Sequence, residues 1–420
     1  MKSLAGATSE VLQRAALEDL DGERCSDLPV SGQHRLQATG ADRLRTNGPG
    51  DNRRVEERRT SPVELLWDLV FVFAVTQVTT LVSRDLSWPG FGHGMLVLSL
   101  MWWAWSAYVW AANAEQEESR VLRGVLLLGM VLIFIAGLSL PHAFGDRATL
   151  FACSYAGVRL LHLALYAHAS RRGSASWSAI GGFATTVVIG MALLIVGSFL
   201  TEATQVLLWT LAVAIDYAGP AWLTRERLRG LQRVAVAHFA ERYSLFVIIC
   251  LGESIVAIGL SANERAIDAD LIAAVTLGLL ATIGLWWTYF DRFASTAEAR
   301  LRDHDDPVLA AADAYSYIHL VIVAGIIVFA VGMKMTIHEL GEPLTDAARL
   351  ALCGGIAMYL LGNVAFRLRM VGAVGYAKLA GAVGLLALFA LGGGLSALWV
   401  AALATLVLGT LCALETLKPA

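Results

Sequence analysis

The chain has 420 residues, of which 57% are hydrophobic and only 16% charged, whereas soluble domains carry about 25% charged residues. This composition, with a mean hydropathy of +0.61, excludes an ordinary soluble protein. A net charge of −3 and the lack of a basic patch with interleaved aromatic residues exclude a typical nucleic-acid-binding protein.

Residues 1–60 are rich in Arg, Asp, Glu, Gly and Ser and lack the apolar segment of a secretory signal, so we expect a mostly disordered cytosolic tail. From residue 62 onward, apolar blocks long enough to cross a hydrocarbon core of about 30 Å recur to the C-terminus. We therefore predict an all-α, polytopic transmembrane helix bundle of about 12 spans. The predicted spans are 62–82, 94–112, 121–140, 148–168, 178–199, 204–223, 243–260, 270–290, 314–334, 346–366, 374–392 and 395–414.

The loops alternate in their content of Lys and Arg, which predicts the orientation of the chain. An excess of basic residues marks cytosolic loops. If the N-terminus is cytosolic, the loops on that side hold most of the arginines, and the last of them holds Lys418. The opposite loops hold little beyond Arg84, Arg147, Arg265, Lys334 and Arg349. This alternation predicts that both termini are cytosolic.

The two halves of the chain resemble each other. ELLWDLVFVFAVTQV (64–78) is similar to ERYSLFVIICLGESI (241–255), and a Trp pair follows in the next span of each half. Six spans per half is an even number, so the halves would be parallel repeats, which in transporters place the site at their interface. The predicted organisation is a tail (1–60), a first six-span repeat (61–223), a basic cytosolic linker (224–242) and a second six-span repeat (243–415).

Ionisable residues inside predicted spans are the candidate functional residues, because a charge at the bilayer centre costs about 2.5–3.5 kcal/mol on insertion scales. They are Asp68, Arg159, His162, Asp216, Glu253 and His319. Arg159 can neutralise one acid, or two by bridging, so at least one acid has to stay protonated, pair with a charged His or bind a cation. We therefore expect these groups to meet in one water-accessible chamber at mid-bilayer.

Structural explanations of the same residues stay open. Arg159 with one acid could be a clamp between helices, and the two histidines could be satisfied core residues. The WWAWSAYVW tract fits packing and interfacial anchoring. A further set lies at the predicted cytosolic edge, where pairing with nearby arginines is a sufficient explanation. That set is Glu64, His238, Glu241 and Arg242.

The sequence holds no signature of an enzyme, a cofactor or a metal site. HExxH, GxSxG, P-loop and dinucleotide-binding motifs are absent, and the five cysteines show no CxxC spacing. Glu64 and Asp68 are the one carboxylate pair with ligand spacing inside a helix. A membrane enzyme is a weaker alternative, for which only the neighbourhood of Glu64, His238 and Glu241 could supply a reactive group.

Several tracts resemble the bacterial low temperature requirement A family of membrane proteins. The resemblance covers roughly residues 60–415 and implies a multi-span protein of the bacterial cytoplasmic membrane, without a settled activity. The tracts are SPVELLWDLVFVFAVTQ (61–77), WWAWSAYVWAANAEQEE (102–118), IDYAGP (215–220), HFAERYSLFVIICLGESIVAIG (238–259), LWWTYFDR (285–292) and AYSYIHLVIVAGI (314–326). They coincide with Glu64, Asp68, Gln77, Asp216, His238, Glu241, Arg242, Glu253 and His319.

The leading hypothesis is a proton- or cation-coupled secondary transporter of an unknown small molecule, embedded in membrane lipid. Asp68, Asp216 and Glu253 would titrate or bind ions, and Arg159 would be their counter-charge or hold an anionic substrate group. His162 and His319 would be relay partners, and Gln77, Tyr155 and Ser254 would supply neutral hydrogen bonds. The competing hypothesis is a non-transporting scaffold or lipid-related factor for growth in the cold, which predicts a sealed interior with Arg159 in closed salt bridges.

Overall fold

The structure is a computed structural model that describes residues 60–114, 119–171, 177–219, 235–291 and 293–417. Within these ranges the chain is helical, and the one strand-like feature is an isolated bridge between Pro343 and Ser396. The predicted tail lies outside the described residues apart from Thr60, and so do residues 224–234 of the predicted linker.

We number the α-helices in chain order. They are α1 (Pro62–Arg84), α2 (Trp88–Ala114), α3 (Arg120–Ser139), α4 (Ala148–Arg171), α5 (Trp177–Gly197), α6 (Glu202–Ala218), α7 (Val236–Asn263), α8 (Ala269–Phe290), α9 (Phe293–Arg302), α10 (Pro307–Ala311), α11 (His319–His338), α12 (Asp346–Val371), α13 (Tyr376–Leu391) and α14 (Ala397–Thr416). A π-helical segment, Ala312–Ile318, joins α10 to α11 without a break.

A helix lies in each of the twelve predicted spans, the sixth being described as far as residue 219, and ten stretches of the described chain are long and apolar enough to cross a membrane. The other two predicted spans correspond to α5, whose apolar part is Phe183–Gly197, and to α6, which has 17 residues. The chain is therefore an all-helical, multi-pass membrane protein.

Polar side chains begin several of these helices, because the first backbone N–H groups of a helix have no partner inside it. Ser119 caps α3 by accepting from the N–H of Leu122, and Asp268 caps α8 by accepting from that of Leu271. At α1 the backbone N–H of Ser61 donates to Glu64 Oε2 at 2.8 Å. This bond places the Glu64 carboxylate at the N-terminus of α1, where the helix dipole favours a negative charge.

Helix α7 begins at Val236, about two turns before the predicted start at 243. The sequence of these turns, VAHFAER, contains neither Pro nor Gly, so nothing in it interrupts the helix. His238, Glu241 and Arg242 are consequently part of α7 rather than of a linker. His238 and Arg242 are buried, and Glu241 is exposed.

The helices of each half pack in the same order. α1 packs on α3, α3 on α4, α4 on α5 and α5 on α6; likewise α7 packs on α11, α11 on α12, α12 on α13 and α13 on α14. This similarity supports the predicted internal repeat, which stays a prediction. The first half meets the second where α1 and α2 contact α7 and α11.

Small residues allow a close contact between the backbones of α11 and α12. A Cβ atom added to Gly332 would lie 2.3 Å from the backbone nitrogen of Leu352, and one added to Gly355 would lie 2.4 Å from that of Phe329. Helices in membranes associate by such close backbone packing, because lipid removes the hydrophobic drive between apolar helices.

Candidate functional site

Helices α1 and α7 run parallel, because residues further along α1 contact residues further along α7. At the start of the two helices, Thr60 Oγ1 donates to Glu241 Oε2 at 2.8 Å. Arg242 contacts the α1 carboxylates above this point. Further along, Thr76 Oγ1 lies 2.6 Å from Glu253 Oε2. Most of the polar residues singled out in the sequence lie along this seam or beside it.

One guanidinium joins two acids at the lower part of the seam. Glu64 and Asp68 are four residues apart and therefore share a face of α1. Arg242 of α7 lies between them, with Nη1 3.2 Å from Glu64 Oε1 and Nη2 2.6 Å from Asp68 Oδ1. The indole Nε1 of Trp105 also donates to Asp68 Oδ1, at 2.8 Å. All four side chains are buried, so this is an ion-pair cluster inside the protein rather than an interfacial one.

His238 extends this cluster towards the end of α2. Its Nε2 lies 3.3 Å from Glu64 Oε2, and its Nδ1 faces the Asn113 amide. The surrounding groups fix that amide: its nitrogen donates to His238 Nδ1 and to the Ala235 carbonyl, and its oxygen accepts from the Ala235 N–H. His238 Nδ1 is then an acceptor, so the neutral ring carries its proton on Nε2 and donates it to Glu64. Glu64, Asp68, His238 and Arg242 form what we call the Arg242 cluster.

Arg159 and Asp216 form a second buried pair, between α4 and α6. Arg159 Nη2 donates to both carboxylate oxygens, at 2.8 and 2.9 Å. The two side chains are 0% and 3% exposed. This geometry fits a structural clamp between the two helices, which was one of the alternatives that the sequence allowed.

Glu253 is the third deep acid, and its recorded partner is a neutral group. Its carboxyl oxygen meets the Thr76 hydroxyl at 2.6 Å, and the residue is 6% exposed. Within the described residues, no Lys, Arg or His side chain lies within ion-pair distance of it. Ser254, the next residue, donates to the Cys250 carbonyl of its own helix, and Gln77 is half-buried beside Thr76.

The two membrane histidines lie in separate environments. His319 is hydrogen-bonded on both sides: Nδ1 donates to the Ala314 carbonyl at 3.0 Å, and Nε2 accepts from the Tyr289 hydroxyl at 2.8 Å. It is therefore a neutral histidine whose tautomer is set by the carbonyl. His162 packs among the rings of Tyr108, Tyr166 and Phe183, with centroids 4.9–5.6 Å away.

A group of hydroxyls and indoles fills the space between α2, α7 and the π segment. Ser106 Oγ lies 2.7 Å from Tyr243 Oη and 3.1 Å from Ser316 Oγ. Trp102 Nε1 donates to the Ser316 carbonyl and Trp110 Nε1 to its hydroxyl. The sequence indicated packing and anchoring for this Trp tract. Three of its indoles also donate hydrogen bonds, two to Ser316 of the π segment and one to Asp68 of α1.

The three deep acids have three different partners. Asp68 pairs with Arg242, Asp216 with Arg159, and Glu253 with Thr76. Arg242, expected at the cytosolic edge, is a second buried guanidinium, so Arg159 does not have to neutralise more than one acid; a chamber shared by the three acids stays a prediction. Helix α7 begins early enough to bury Arg242 opposite Asp68. The sequence did not single out the partners Thr76, Asn113 and Trp105. The one signal available for any of them is that Thr76 is next to Gln77, a predicted site residue.

The sequence of the chain matches a known family of bacterial membrane proteins. Residues 59–413 match the profile of the family described as bacterial low temperature requirement A protein. The chain belongs to this family. It is also 30% identical over 315 residues to an uncharacterized protein of Rhizobium meliloti (strain 1021), an alignment that covers 74% of this chain and 77% of the relative. The family match covers nearly all of the described helices, so the seam between α1 and α7 lies inside the family region.

Proposed function

We propose that this low temperature requirement A protein is a proton- or cation-coupled secondary transporter of a small molecule. Glu253 carries the proposal: it is an acid well inside a membrane span, and the hydrogen-bond partner recorded for it is a neutral hydroxyl. An acid at that depth costs free energy, and acids retained in spans commonly take part in ion or proton movement. Asp68 and Asp216 differ, because each already has a guanidinium.

The position of Glu253 supports the same function. It lies where α1 contacts α7, and these helices begin the two predicted halves. Transporters built from repeats bind ions and substrates near mid-membrane where the repeats meet. This support is an analogy between folds, so the site itself has to carry the test. In the proposal, the Arg242 cluster and the Arg159–Asp216 pair are fixed counter-charges, and Gln77, Ser254, His162 and His319 are neighbouring polar groups.

Orientation is part of the proposal. The excess of Lys and Arg in alternate loops supports cytosolic N- and C-termini in a bacterial cytoplasmic membrane. In that orientation the Arg242 cluster lies towards the cytosol and Glu253 lies deeper, since α7 would run from the cytosol outward.

The test is flux in proteoliposomes that contain the purified full-length chain. A pH-sensitive dye inside the vesicles reports proton movement while pools of small metabolites are added under an imposed proton, Na⁺ or K⁺ gradient. We expect one pool to drive ion flux with the wild-type chain and Glu253→Gln to reduce that flux at least tenfold. The matched control is Glu298→Gln, because Glu298 forms an exposed pair with Arg302, 38% and 53% exposed. Unchanged flux in Glu253→Gln, or no flux with any pool and gradient, overturns the proposal.

The second candidate is a non-transporting scaffold or envelope factor, and the Arg159–Asp216 pair favours it. Both side chains are shut away from solvent, and Arg159 Nη2 donates to both Asp216 oxygens, as expected of a structural clamp. This candidate requires that neutralising any of the deep acids changes thermal stability without changing flux. The same set of variants therefore separates the two functions.

A further inference from the structure

The Thr76 hydroxyl has one proton to donate and lies close to two acceptor oxygens. Its Oγ1 lies 2.6 Å from Glu253 Oε2 and 3.1 Å from the carbonyl oxygen of Val72, one turn earlier in α1. A hydroxyl group has one O–H donor and two acceptor lone pairs. It cannot donate fully to both oxygens, so the proton on Thr76 and the protonation state of Glu253 depend on each other.

Two arrangements use the single proton of the Thr76 hydroxyl at this contact. When Glu253 is ionised, Thr76 donates to the carboxylate, and a bond of about 2.6 Å is typical of O–H···O⁻. When Glu253 is protonated, its carboxyl O–H donates to Thr76 Oγ1, and the Thr76 proton turns towards the Val72 carbonyl. Addition of one proton to the carboxylate, together with rotation of the Thr76 hydroxyl, converts the first arrangement into the second, and no heavy atom has to move.

We propose that Glu253, Thr76 and the Val72 carbonyl form a proton-binding site, so that the coupling ion is a proton. The role of this site in coupling rests on the proposed transport function, whereas the site itself is inferred from the hydrogen-bond geometry. The step is simple addition: a proton from water forms an O–H bond on the Glu253 carboxylate and neutralises it, and the Thr76 O–H stays intact while it rotates. Its release reverses the step.

A metal cation fits this contact less well than a proton. A cation that leaves water has to replace its hydration shell with several oxygens, whereas a proton needs one base and one acceptor. Glu253 and Thr76 supply that minimum. In the part of the chain that the structure describes, no three His, Cys, Asp or Glu side chains are grouped so as to hold a metal ion.

Several other titratable groups lie on α7 and on the helices packed against it. The Cys250 thiol lies three residues before Glu253 on the same helix. On α7, Glu241 accepts from Thr60, Tyr243 meets Ser106, and His238 and Arg242 contact the carboxylates of Glu64 and Asp68 on α1. On the packed helices, Tyr289 contacts His319, Lys334 contacts Ser83, and Glu298 pairs with Arg302.

Infrared spectroscopy tests the site without any substrate. The full-length chain in lipid nanodiscs is titrated from alkaline to acidic pH, and the C=O stretching band of protonated carboxyl groups is recorded. We expect a band that grows with acid and is lost in Glu253→Gln. Thr76→Val should shift the frequency of that band, since the carboxyl then loses its hydrogen-bond partner, whereas Thr76→Ser should retain it.

Thr79→Val is the matched control, because Thr79 lies on the same helix and is recorded bonding only to the Val75 carbonyl. It should leave the band unchanged. Three results overturn the proton site: no acid-dependent band sensitive to Glu253→Gln, the same band position in Thr76→Val as in Thr79→Val, or displacement of the band by Na⁺ or K⁺ at constant pH. A band without flux would leave the proton site in place and refute transport, whereas flux without the band would do the reverse.

Discussion

Replacing Arg242 by Met tests whether the Arg242 cluster stabilises the contact of α1 with α7. Arg242 contacts Glu64 at 3.2 Å and Asp68 at 2.6 Å, and all three are buried. Met keeps much of the side-chain length but removes the charge and all five donors. Two carboxylates would then lie one helical turn apart in the interior with neutral His238 as the remaining member of the cluster.

The expected loss follows from the burial of both partners. Removing one member of a buried ion pair destabilises a protein by about 3–5 kcal/mol, mostly because it leaves an uncompensated charge behind. Arg242→Met removes the partner of two acids, so we expect the upper part of that range. Adding Asp68→Asn to Arg242→Met removes one of the stranded charges. The double variant should therefore lose less stability than the sum of the two single variants, with a coupling of about 1–3 kcal/mol.

The assay is unfolding of the purified chain in mixed micelles by increasing SDS, followed by tryptophan fluorescence. Arg302→Met serves as the control, because its exposed pair with Glu298 is of a kind that contributes about 0–1 kcal/mol. If Arg242→Met lowers the free energy of unfolding no more than Arg302→Met does, or if the double variant shows additive losses, the cluster is not the stabilising contact described here.

Three other predictions concern the clamp, the helix packing and the orientation. Arg159→Met should cost about 3–5 kcal/mol in the same assay, and Asp216→Asn in that background should restore part of it; simple additivity would contradict a closed pair. Gly332→Ala should cost at least about 1–3 kcal/mol, because its Cβ would meet the Leu352 backbone, whereas Gly252→Ala has open space and should be neutral or slightly stabilising. A C-terminal green fluorescent protein should fluoresce and a C-terminal alkaline phosphatase should stay inactive; the opposite pattern would reverse the orientation.

The sequence was sufficient to predict the helical architecture, because the thickness of the bilayer sets the length of each span. It also predicted correctly that Glu64 and Asp68 share a face of α1, which follows from their spacing alone. It placed the start of α7 too late, since VAHFAER mixes polar and apolar residues and hydropathy counts such a stretch as a loop. The error came from reading a helix end as a membrane boundary, although helices extend beyond the lipid.

Partners across helices could not be predicted, because the hydropathy of a span does not say which span lies beside it. Arg242 opposite Asp68 and Thr76 opposite Glu253 depend on the packing of α1 on α7. Trp105 illustrates the same limit: its sequence context indicated apolar packing, and only the structure shows its N–H on Asp68. Such pairs are contacts between residues far apart in sequence. Residue spacing in one sequence indicates which residues share a face of a helix, but not which helix that face contacts.

Under the proposed function, the kind of partner, more than the depth of the acid, separates a structural carboxylate from a functional one. An acid held by a guanidinium gains little by taking up a proton, since protonation would strand the arginine in a buried site. Asp68 and Asp216 are in that position. Glu253 faces a hydroxyl that accepts from a carboxyl as readily as it donates to a carboxylate, so either charge state leaves its neighbours satisfied. A membrane protein that binds and releases protons needs one acid of this second kind and can use acids of the first kind to hold its helices in place.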